Sequence, residues 1–244
     1  MTVRFTKPYR TAAAASRAVA HHTWLDGLGM PVPHLIAHHP QALEFQHLTG
    51  RHALPRDLPA VARLLGQTHT AAHRAALHAA HLDHDFDLPG IGTTAAFTSS
   101  RTARVRQVMA SRSVPGPAFT TDQAVHVIES AADEPAAFYK DSNPRNFLIT
   151  PTTITALDFD DLTPAPFGYD LAKLLVTTAM THGPLPPGLT TEALAAYNQT
   201  AQYPCNPARL ADWMEIHHIL TSPYLGRNGY SHSWHTLRPI ERTP

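Results

Sequence analysis

Two neighbouring stretches of the sequence decide the fold. Residues 138–149 read FYKDSNPRNFLI, and residues 154–161 read ITALDFDD. The apolar residues before Asp141 are typical of a strand, and Pro144 predicts a loop directly after it. Residues 147–149 and 154–157 predict a hairpin that presents Asp158 on the neighbouring strand. The pattern therefore predicts that Asp141, Asn146 and Asp158 lie together at one cleft.

These three side chains have the chemistry that phosphoryl transfer needs. One carboxylate must orient the attacking hydroxyl and accept its proton, while another carboxylate and an amide hold Mg²⁺ against the nucleotide phosphates. Mg²⁺ prefers oxygen ligands, which Asp158 and Asn146 can supply. The spacing of Asp141 and Asn146 is common by chance when it stands alone. The alternative is a solvated turn followed by an acidic loop over residues 158–161.

The composition limits the classes of function. The chain has 244 residues, 43% of them hydrophobic, and its 19 basic residues balance 19 acidic ones. This length suits one large domain or two small ones, and zero net charge disfavours general binding of nucleic acid. The single cysteine, Cys205, leaves no partner for an intramolecular disulfide.

The same sequence gives an expectation for localisation. No apolar run reaches the roughly 18 residues that a membrane span needs. We therefore expect a cytoplasmic protein without a membrane partner, although the acid-free residues 1–25 are also typical of an organelle transit peptide.

Patterns outside the deciding stretch predict a small mixed part followed by a mostly helical one. Short strands are predicted at residues 2–6, 35–37 and 42–45, and a helix over 11–25. Further helices are predicted from Asp57 to about residue 81, over 101–111, from 121 or 122 through 132, and beyond Asp170.

The stretch around Asp141 resembles the aminoglycoside phosphotransferase-like kinases, a family that includes choline kinase and homoserine kinase-like enzymes. Their usual catalytic stretch is H-G-D-x-x-x-x-N, followed by a segment that begins I-D-F or I-D-W. Residues 168–172 (GYDLA) are similar to a later family segment, residues 29–33 (GMPVP) to a turn, and residues 44–51 (EFQHLTGR) to the hinge. The resemblance covers about residues 1–175, with its segments in the family's order.

This resemblance implies an α+β, protein-kinase-like fold. Residues 1–50 would form a truncated small α/β N-lobe with the hinge, and residues 51–244 a mainly helical C-lobe. The implied activity is ATP- and Mg²⁺-dependent phosphorylation of a hydroxyl group on a small molecule.

The resemblance also implies the roles of individual residues. Asp141 would be the catalytic base, Asn146 and Asp158 the metal ligands with Asp160 as a further one, and Asp170 mainly structural. The nucleotide-binding residues would be Lys7, Glu44, Phe45, Gln46 and His47, with the hinge backbone holding the adenine.

The sequence departs from the family pattern in two places. Tyr139 and Lys140 replace the usual His-Gly pair, and we expect Tyr139 to substitute for the histidine and Lys140 to be solvated. Only six residues precede Lys7, too few for a Gly-rich hairpin, and residues 8–25 contain no acid to pair with this lysine. Lys7 is therefore either the phosphate-contacting lysine or a surface lysine.

Three explanations of the short N-terminal part stay open. The N-lobe is naturally reduced, the assigned start is too late, or the chain is a non-catalytic pseudokinase or partner subunit. A protein partner completing the N-lobe is compatible with the first and the third.

The charge of the C-terminal part bears on the acceptor. Residues 171–244 contain four acids, five bases and five histidines, which disfavours a polycation. A neutral or anionic hydroxyl compound fits better, as does a Ser or Thr in a natural-product precursor peptide. The aromatic and basic residues over 224–238 either line the acceptor pocket or pack on the helical core.

His69 and His73 have a spacing that is compatible with metal binding. No glutamate completes an H-E-x-x-H motif, so we expect these histidines on a polar helix face.

Overall fold

The computed structural model describes residues 3–238 as short strands and eight helices. The strands are β1 (Arg4–Pro8), β2 (Leu35–His39), β3 (Ala42–Gln46), β4 (Arg51–His52), β5 (Phe86–Leu88), β6 (Gly92–Thr94), β7 (Ala136–Tyr139), β8 (Phe147–Ile149), β9 (Ile154–Ala156) and β10 (Thr163–Pro166). The helices are α1 (Ala12–Gly27), α2 (Leu58–Ala75), α3 (Phe97–Ala110), α4 (Thr121–Glu129), α5 (Tyr169–His182), α6 (Leu189–Asn198), α7 (Pro207–Thr221) and α8 (Trp234–Leu237).

The N-terminal part is an antiparallel sheet in the order β1-β3-β2, with α1 connecting β1 to β2. The side chain of Thr11 begins α1 by accepting a hydrogen bond from the backbone N–H of Ala14. His21 and His22 lie on the buried face of this helix. A ring nitrogen of His21 donates to the backbone oxygen of Phe159 at 2.5 Å. Helix α1 is thereby attached to the segment that carries Asp158 and Asp160.

The predicted hairpin is confirmed as β8 and β9, in which Phe147 lies opposite Ala156 and Ile149 opposite Ile154. Strand β4 pairs with the other edge of β8, and β7 pairs with β10 in a separate two-stranded sheet. Asp141 follows the end of β7 and Asp158 follows the end of β9. Strand ends therefore position both carboxylates.

The helical part has α5 at its centre, since every residue from Tyr169 to Met180 is buried. Helix α5 packs against α7, and α2 packs against α6. No helix described between residues 3 and 238 has both the length and the apolar character to cross a bilayer. Small sheets beside a mainly helical part confirm the expected fold class, while the division near residue 50 stays a prediction.

The prediction of a polar face for His69 and His73 is wrong, because both side chains are buried. The hydroxyl of Tyr197 accepts from the backbone N–H of Gly168 at 3.0 Å and donates to Nδ1 of His69 at 2.8 Å. His73 donates to the backbone oxygen of Ala136 at 2.9 Å. Burial lowers the pKa of His69 to about 3, so this ring is neutral. These histidines connect α2 to the neighbouring elements.

Candidate functional site

Asp141 and Asp158 share an uncommon backbone conformation. Their φ angles are +60° and +61°, in the left-handed region that residues other than glycine seldom occupy. Such conformations cost free energy and persist where the surrounding contacts enforce them, which is typical of functional sites. In the described chain only Arg112 and Asn228 share this property among non-glycine residues.

The loop after Asp141 is held by side-chain amides and by a buried carboxylate. The amide nitrogens of Asn143 and Asn146 donate to the backbone oxygen of Asp141 at 3.2 and 2.9 Å. Asp170 on α5 is fully buried and accepts from the backbone N–H of Ser142 at 2.9 Å and from its hydroxyl at 2.7 Å. Asp170 therefore has the structural role that the resemblance implied.

The carboxylate of Asp141 has two neighbours that favour its charged form. The Tyr139 hydroxyl donates to Oδ1 at 2.7 Å, and the Lys173 ammonium lies 3.1 Å from the same oxygen. Burial raises the pKa of this carboxyl, but the Lys173 charge and the Tyr139 hydrogen bond outweigh it and hold the pKa below its usual value. Both contacts use Oδ1, which leaves Oδ2 to accept from a ligand.

The expectation that Lys140 is solvated is wrong. Its side chain is 1% exposed, and its ammonium donates to the backbone oxygen of Leu157 at 3.2 Å. The same ammonium lies 4.9 Å from the ring centroid of Phe147. The long aliphatic side chain of Lys140 places its ammonium in the interior, where the hydrogen bond to Leu157 holds the segment just before Asp158.

Lys7 lies between the two carboxylates of the acidic loop. Its ammonium is 2.7 Å from Asp158 Oδ1 and 2.8 Å from Asp160 Oδ2, and the Tyr9 hydroxyl donates to the other oxygen of Asp160 at 3.2 Å. Burial lowers the pKa of Lys7, but the hydrogen bonds and charges of the two carboxylates more than offset this and raise it. These contacts between residues far apart in the sequence place β1 beside the predicted metal ligands.

The predicted metal-binding residues offer atoms that suit a hard divalent cation. Asp158 and Asp160 present half-exposed carboxylates. The amide nitrogen of Asn146 is committed to Asp141, which leaves its amide oxygen as the atom for a ligand. Carboxylate and amide oxygens are the donors that Mg²⁺ prefers. The residues fit the ion, with Lys7 as the cation that balances the carboxylates here.

A cavity of about 490 Å³ opens beside Lys7 and Asp158. The predicted nucleotide residues Phe45, Gln46 and His47 line it, but Glu44 does not. The Glu44 carboxylate instead pairs with Arg4 at 2.8 Å and with His39 at 3.0 Å. The remaining lining residues are mostly apolar: Phe5, Pro33, Leu48, His52, Leu148, Leu157 and Phe159. We call this space the nucleotide cavity.

A second cavity, of about 400 Å³, opens beside Asp141. We call it the acceptor cavity. Tyr224 and Tyr230 from the C-terminal stretch line it, whereas Trp234 is packed in the hydrophobic core. Part of that stretch therefore lines a cavity and part of it packs on the helical core, while the binding of an acceptor there stays a prediction.

Sequence reasoning missed several residues of the acceptor cavity. They are Arg101 and Arg104 on α3, Arg145 in the loop, Asp161, and Lys173 and His217 on α5 and α7. Lys173 had a usable signal, because it is the only Lys, Arg, Asp or Glu after Asp170 in a largely apolar helix. A lysine in that setting needs an anionic partner, which is Asp141. The arginines carry no comparable local signal.

Comparison with solved structures shows the kinase-like fold. Amicoumacin kinase hAmiN, solved with AMP-PNP, Ca²⁺ and Ami, is similar over 90% of this chain and 73% of its own, at 13% identity and a TM-score of 0.65. An aminoglycoside-3'-phosphotransferase of type VIII is similar over 87% of this chain and 83% of its own, at 20% identity and a TM-score of 0.54. Choline kinase LicA from Streptococcus pneumoniae is similar over 96% and 82%, at 13% identity and a TM-score of 0.56. No curated protein matches the chain in sequence.

The family that the sequence resembles is also found by direct comparison with family models. The model described as "Phosphotransferase enzyme family" matches residues 1–213, a range that includes Lys7, Asp141 and Asp158. The expectation of a phosphotransferase is thereby confirmed. Because this match covers most of the 244 residues, the chain belongs to the phosphotransferase enzyme family.

Proposed function

We propose that this protein transfers the γ-phosphoryl group of ATP to a hydroxyl group of a small molecule, with Mg²⁺ as the metal ion. One observation carries the proposal. The loop and hairpin over residues 141–158 begin with Asp141 at the acceptor cavity and end with Asp158 at the nucleotide cavity. A cavity at each end of one loop-and-hairpin segment, with an aspartate side chain at each, suits the transfer of a phosphoryl group from one ligand to another.

The nucleotide would place its adenine among apolar side chains and its phosphates toward Lys7. Phe45 and Leu148 line the apolar part of the cavity, and the backbone of residues 44–47 passes beside it. The ammonium of Lys7 is a point charge that suits phosphate oxygens. Asp158, Asp160 and Asn146 would hold Mg²⁺, which when bound neutralises charge on the phosphates.

On the acceptor side, Asp141 would accept a hydrogen bond from the attacking hydroxyl through Oδ2. The Tyr139 and Lys173 contacts fix the carboxylate by its other oxygen, so the hydroxyl is oriented rather than free to rotate. A carboxylate with a low pKa is a weak base before transfer begins. It would take the proton as the bond between the acceptor oxygen and phosphorus forms.

A non-catalytic nucleotide-binding protein is the second candidate, and one contact favours it. In active kinases the phosphate-contacting lysine is usually oriented by a helix glutamate. Here Lys7 pairs with Asp158 and Asp160 themselves, and α1 offers His21 at the acidic loop. In a catalytic protein Lys7 must exchange these carboxylates for phosphate. A peptide hydroxyl as acceptor, or a partner protein beside the N-terminal sheet, also remains compatible with this site.

The test is a titration of AMP-PNP, with and without Mg²⁺, monitored by calorimetry and by the melting temperature. A ligand that binds the folded state raises the melting temperature by mass action. The variant is Asp158→Asn, because asparagine tolerates the left-handed backbone while the charge is lost. We expect Mg²⁺-dependent binding in the wild type and its loss in the variant.

Asp26→Asn is the matched control, since Asp26 is exposed at the end of α1, away from both cavities. A nucleotide affinity that is changed neither by Mg²⁺ nor by the Asp158→Asn exchange would contradict the proposed metal site. Metal-dependent binding without phosphoryl transfer to any hydroxyl compound would favour the non-catalytic candidate.

A further inference from the structure

The acceptor cavity carries an excess of positive charge. Four cationic side chains line it: Arg101, Arg104, Arg145 and Lys173. The acidic side chains are Asp141 and Asp161. Lys173 is paired with Asp141, so among residues 3–238 the three arginines are the cations of this cavity without an ion-pair partner.

Arg101 is held in place by stacking on aromatic rings; the charges of Asp161 and Asp141 are near enough to act on it, but neither carboxylate pairs with it directly. Its guanidinium lies 4.6 Å from the ring centroid of Tyr139, which itself contacts Asp141. Its Nε is sealed from solvent and has no hydrogen-bond acceptor among residues 3–238. Within the same residues it forms no ion pair. Because this half-buried guanidinium has no carboxylate within ion-pair distance in the described residues, its planar fork can bind carboxylate or phosphate oxygens of a ligand.

Arg145 repeats this arrangement on the other side of the cavity. It stands one residue before Asn146, with its guanidinium 5.4 Å from the ring centroid of Tyr230. Its Nε is also buried without an acceptor in the described chain. Arg104 lies three residues after Arg101 on α3 and therefore on the same helix face. Two separate segments thus direct unpaired guanidinium groups into one space.

We propose that the acceptor is a small hydroxylated anion whose carboxylate or phosphate oxygens bind Arg101 and Arg145 while its hydroxyl reaches Asp141. This inference rests on the proposed kinase function of the site. In the step, the acceptor oxygen forms a bond to the γ-phosphorus as the bond from that phosphorus to the β,γ-bridging oxygen breaks. The hydroxyl proton passes to Asp141, and ADP leaves with the electron pair of the broken bond.

The charge of the cavity also explains which acceptors are rejected. A primary amine or quaternary ammonium group in this space would lie near three guanidinium groups and the Lys173 ammonium. Like charges in a partly desolvated cavity repel strongly, so a cationic acceptor is disfavoured by the same residues that bind an anion.

The test uses four matched probes that differ in one group: glycerol, glycerate, glycerol phosphate and aminopropanediol. Binding is measured by calorimetry and by the melting temperature at constant ionic strength, without nucleotide. We expect glycerate or glycerol phosphate to bind, and glycerol and aminopropanediol to bind at least about tenfold more weakly, the change expected for one lost charge-assisted hydrogen bond. Binding of glycerate alone identifies a carboxylate site, and binding of glycerol phosphate alone a phosphate site.

Arg101→Gln and Arg145→Gln should each weaken binding of the anionic probe by about tenfold or more. Arg104→Gln, which is less enclosed, provides a third variant should loss of the Arg101 stacking disturb folding. Arg106→Gln is the matched control, because Arg106 lies on α3 but is exposed and does not line the cavity.

Three results would overturn the inference. They are no binding of either anion, equal binding of the neutral or amine probe, and anion affinity that is the same in Arg101→Gln, Arg145→Gln and the control. Failure of the kinase function itself is distinguishable, because it would appear as lost nucleotide binding or transfer while the anionic probes still bound.

Discussion

The nucleotide cavity and the acceptor cavity adjoin the same loop and hairpin but are built in different ways. The nucleotide cavity is mostly apolar, and its residues come from short strands and from the segments next to them. The acceptor cavity is cationic and takes residues from α3, α5, α7, the loop after β7 and the C-terminal stretch. The proposed nucleotide side is therefore built from strand ends, whereas the proposed acceptor side depends on how helices pack.

Among the variants, Asp141→Asn is expected to show the largest difference between the effect on transfer to the acceptor and the effect on nucleotide affinity. The exchange keeps a side chain that tolerates the left-handed backbone but removes the proton acceptor, so transfer to the acceptor should fall by about 10²–10⁴-fold. The affinity for AMP-PNP should not change. Release of ADP in the presence of the anionic acceptor measures the first quantity, and calorimetry the second. An equal loss of nucleotide affinity would show that the cavities are not independent; Asp26→Asn serves as control.

Lys7→Met should affect the nucleotide cavity alone. Loss of one charged contact to phosphate lowers nucleotide affinity by about tenfold or more. Binding of the anionic acceptor probe should stay at the wild-type value, because Lys7 does not line the acceptor cavity. Arg4→Gln, on the same strand with a side chain that is 59% exposed, is the control. Unchanged nucleotide affinity in Lys7→Met would identify Lys7 as a purely structural partner of the acidic loop.

The acceptor cavity should make the protein sensitive to acid through His217. This buried ring donates to the backbone oxygen of Tyr169 at 2.9 Å, and burial together with the Lys173 charge lowers its pKa well below the usual value. Below about pH 6.5, His217 binds a proton in the unfolded chain but stays neutral in the folded protein. The free energy of unfolding therefore falls by about 1.4 kcal/mol per pH unit for such a residue.

His217→Gln tests this assignment, because glutamine can donate the same hydrogen bond without titrating. Denaturant unfolding between pH 7 and about pH 5 should show a shallower pH dependence in this variant. The exposed His81→Gln should retain the wild-type dependence. Burial lowers the pKa of His69 to about 3, so protonation of the unfolded chain at His69 also lowers the free energy of unfolding as the pH falls. This contribution should be present in both variants.

The smallest effect is expected for Glu44→Gln. The Glu44 carboxylate pairs with Arg4 and His39 and does not line the nucleotide cavity. We therefore expect nucleotide affinity to be unchanged within the error of a calorimetric titration. A clear loss would mean that the side chain, and not only the backbone of residues 44–47, contributes to binding.

What the sequence could predict follows the same division. The hairpin of β8 and β9 and most of the helices depend on contiguous patterns, and the structure confirms them, although α2 ends at Ala75 and not near residue 81. The structural role of Asp170 was implied by the family resemblance. Lys140 and the histidines of α2 were misjudged because residue polarity predicts exposure only when no buried partner is available. Their partners are the backbone oxygens of Leu157 and Ala136 and the Tyr197 hydroxyl, all distant in sequence. The arginines of the acceptor cavity were missed for the same reason.

The left-handed backbone at Asp141 and Asp158 restricts how this protein can change over evolutionary time. At a positive φ, asparagine and glycine are the replacements that cost least, while alanine or a branched residue adds strain to the loss of charge. A lineage that abandons catalysis can therefore keep its fold most easily through an aspartate-to-asparagine or aspartate-to-glycine exchange at these two positions. With the roles proposed for Asp141 and Asp158, such exchanges in similar chains would mark loss of activity with retention of structure.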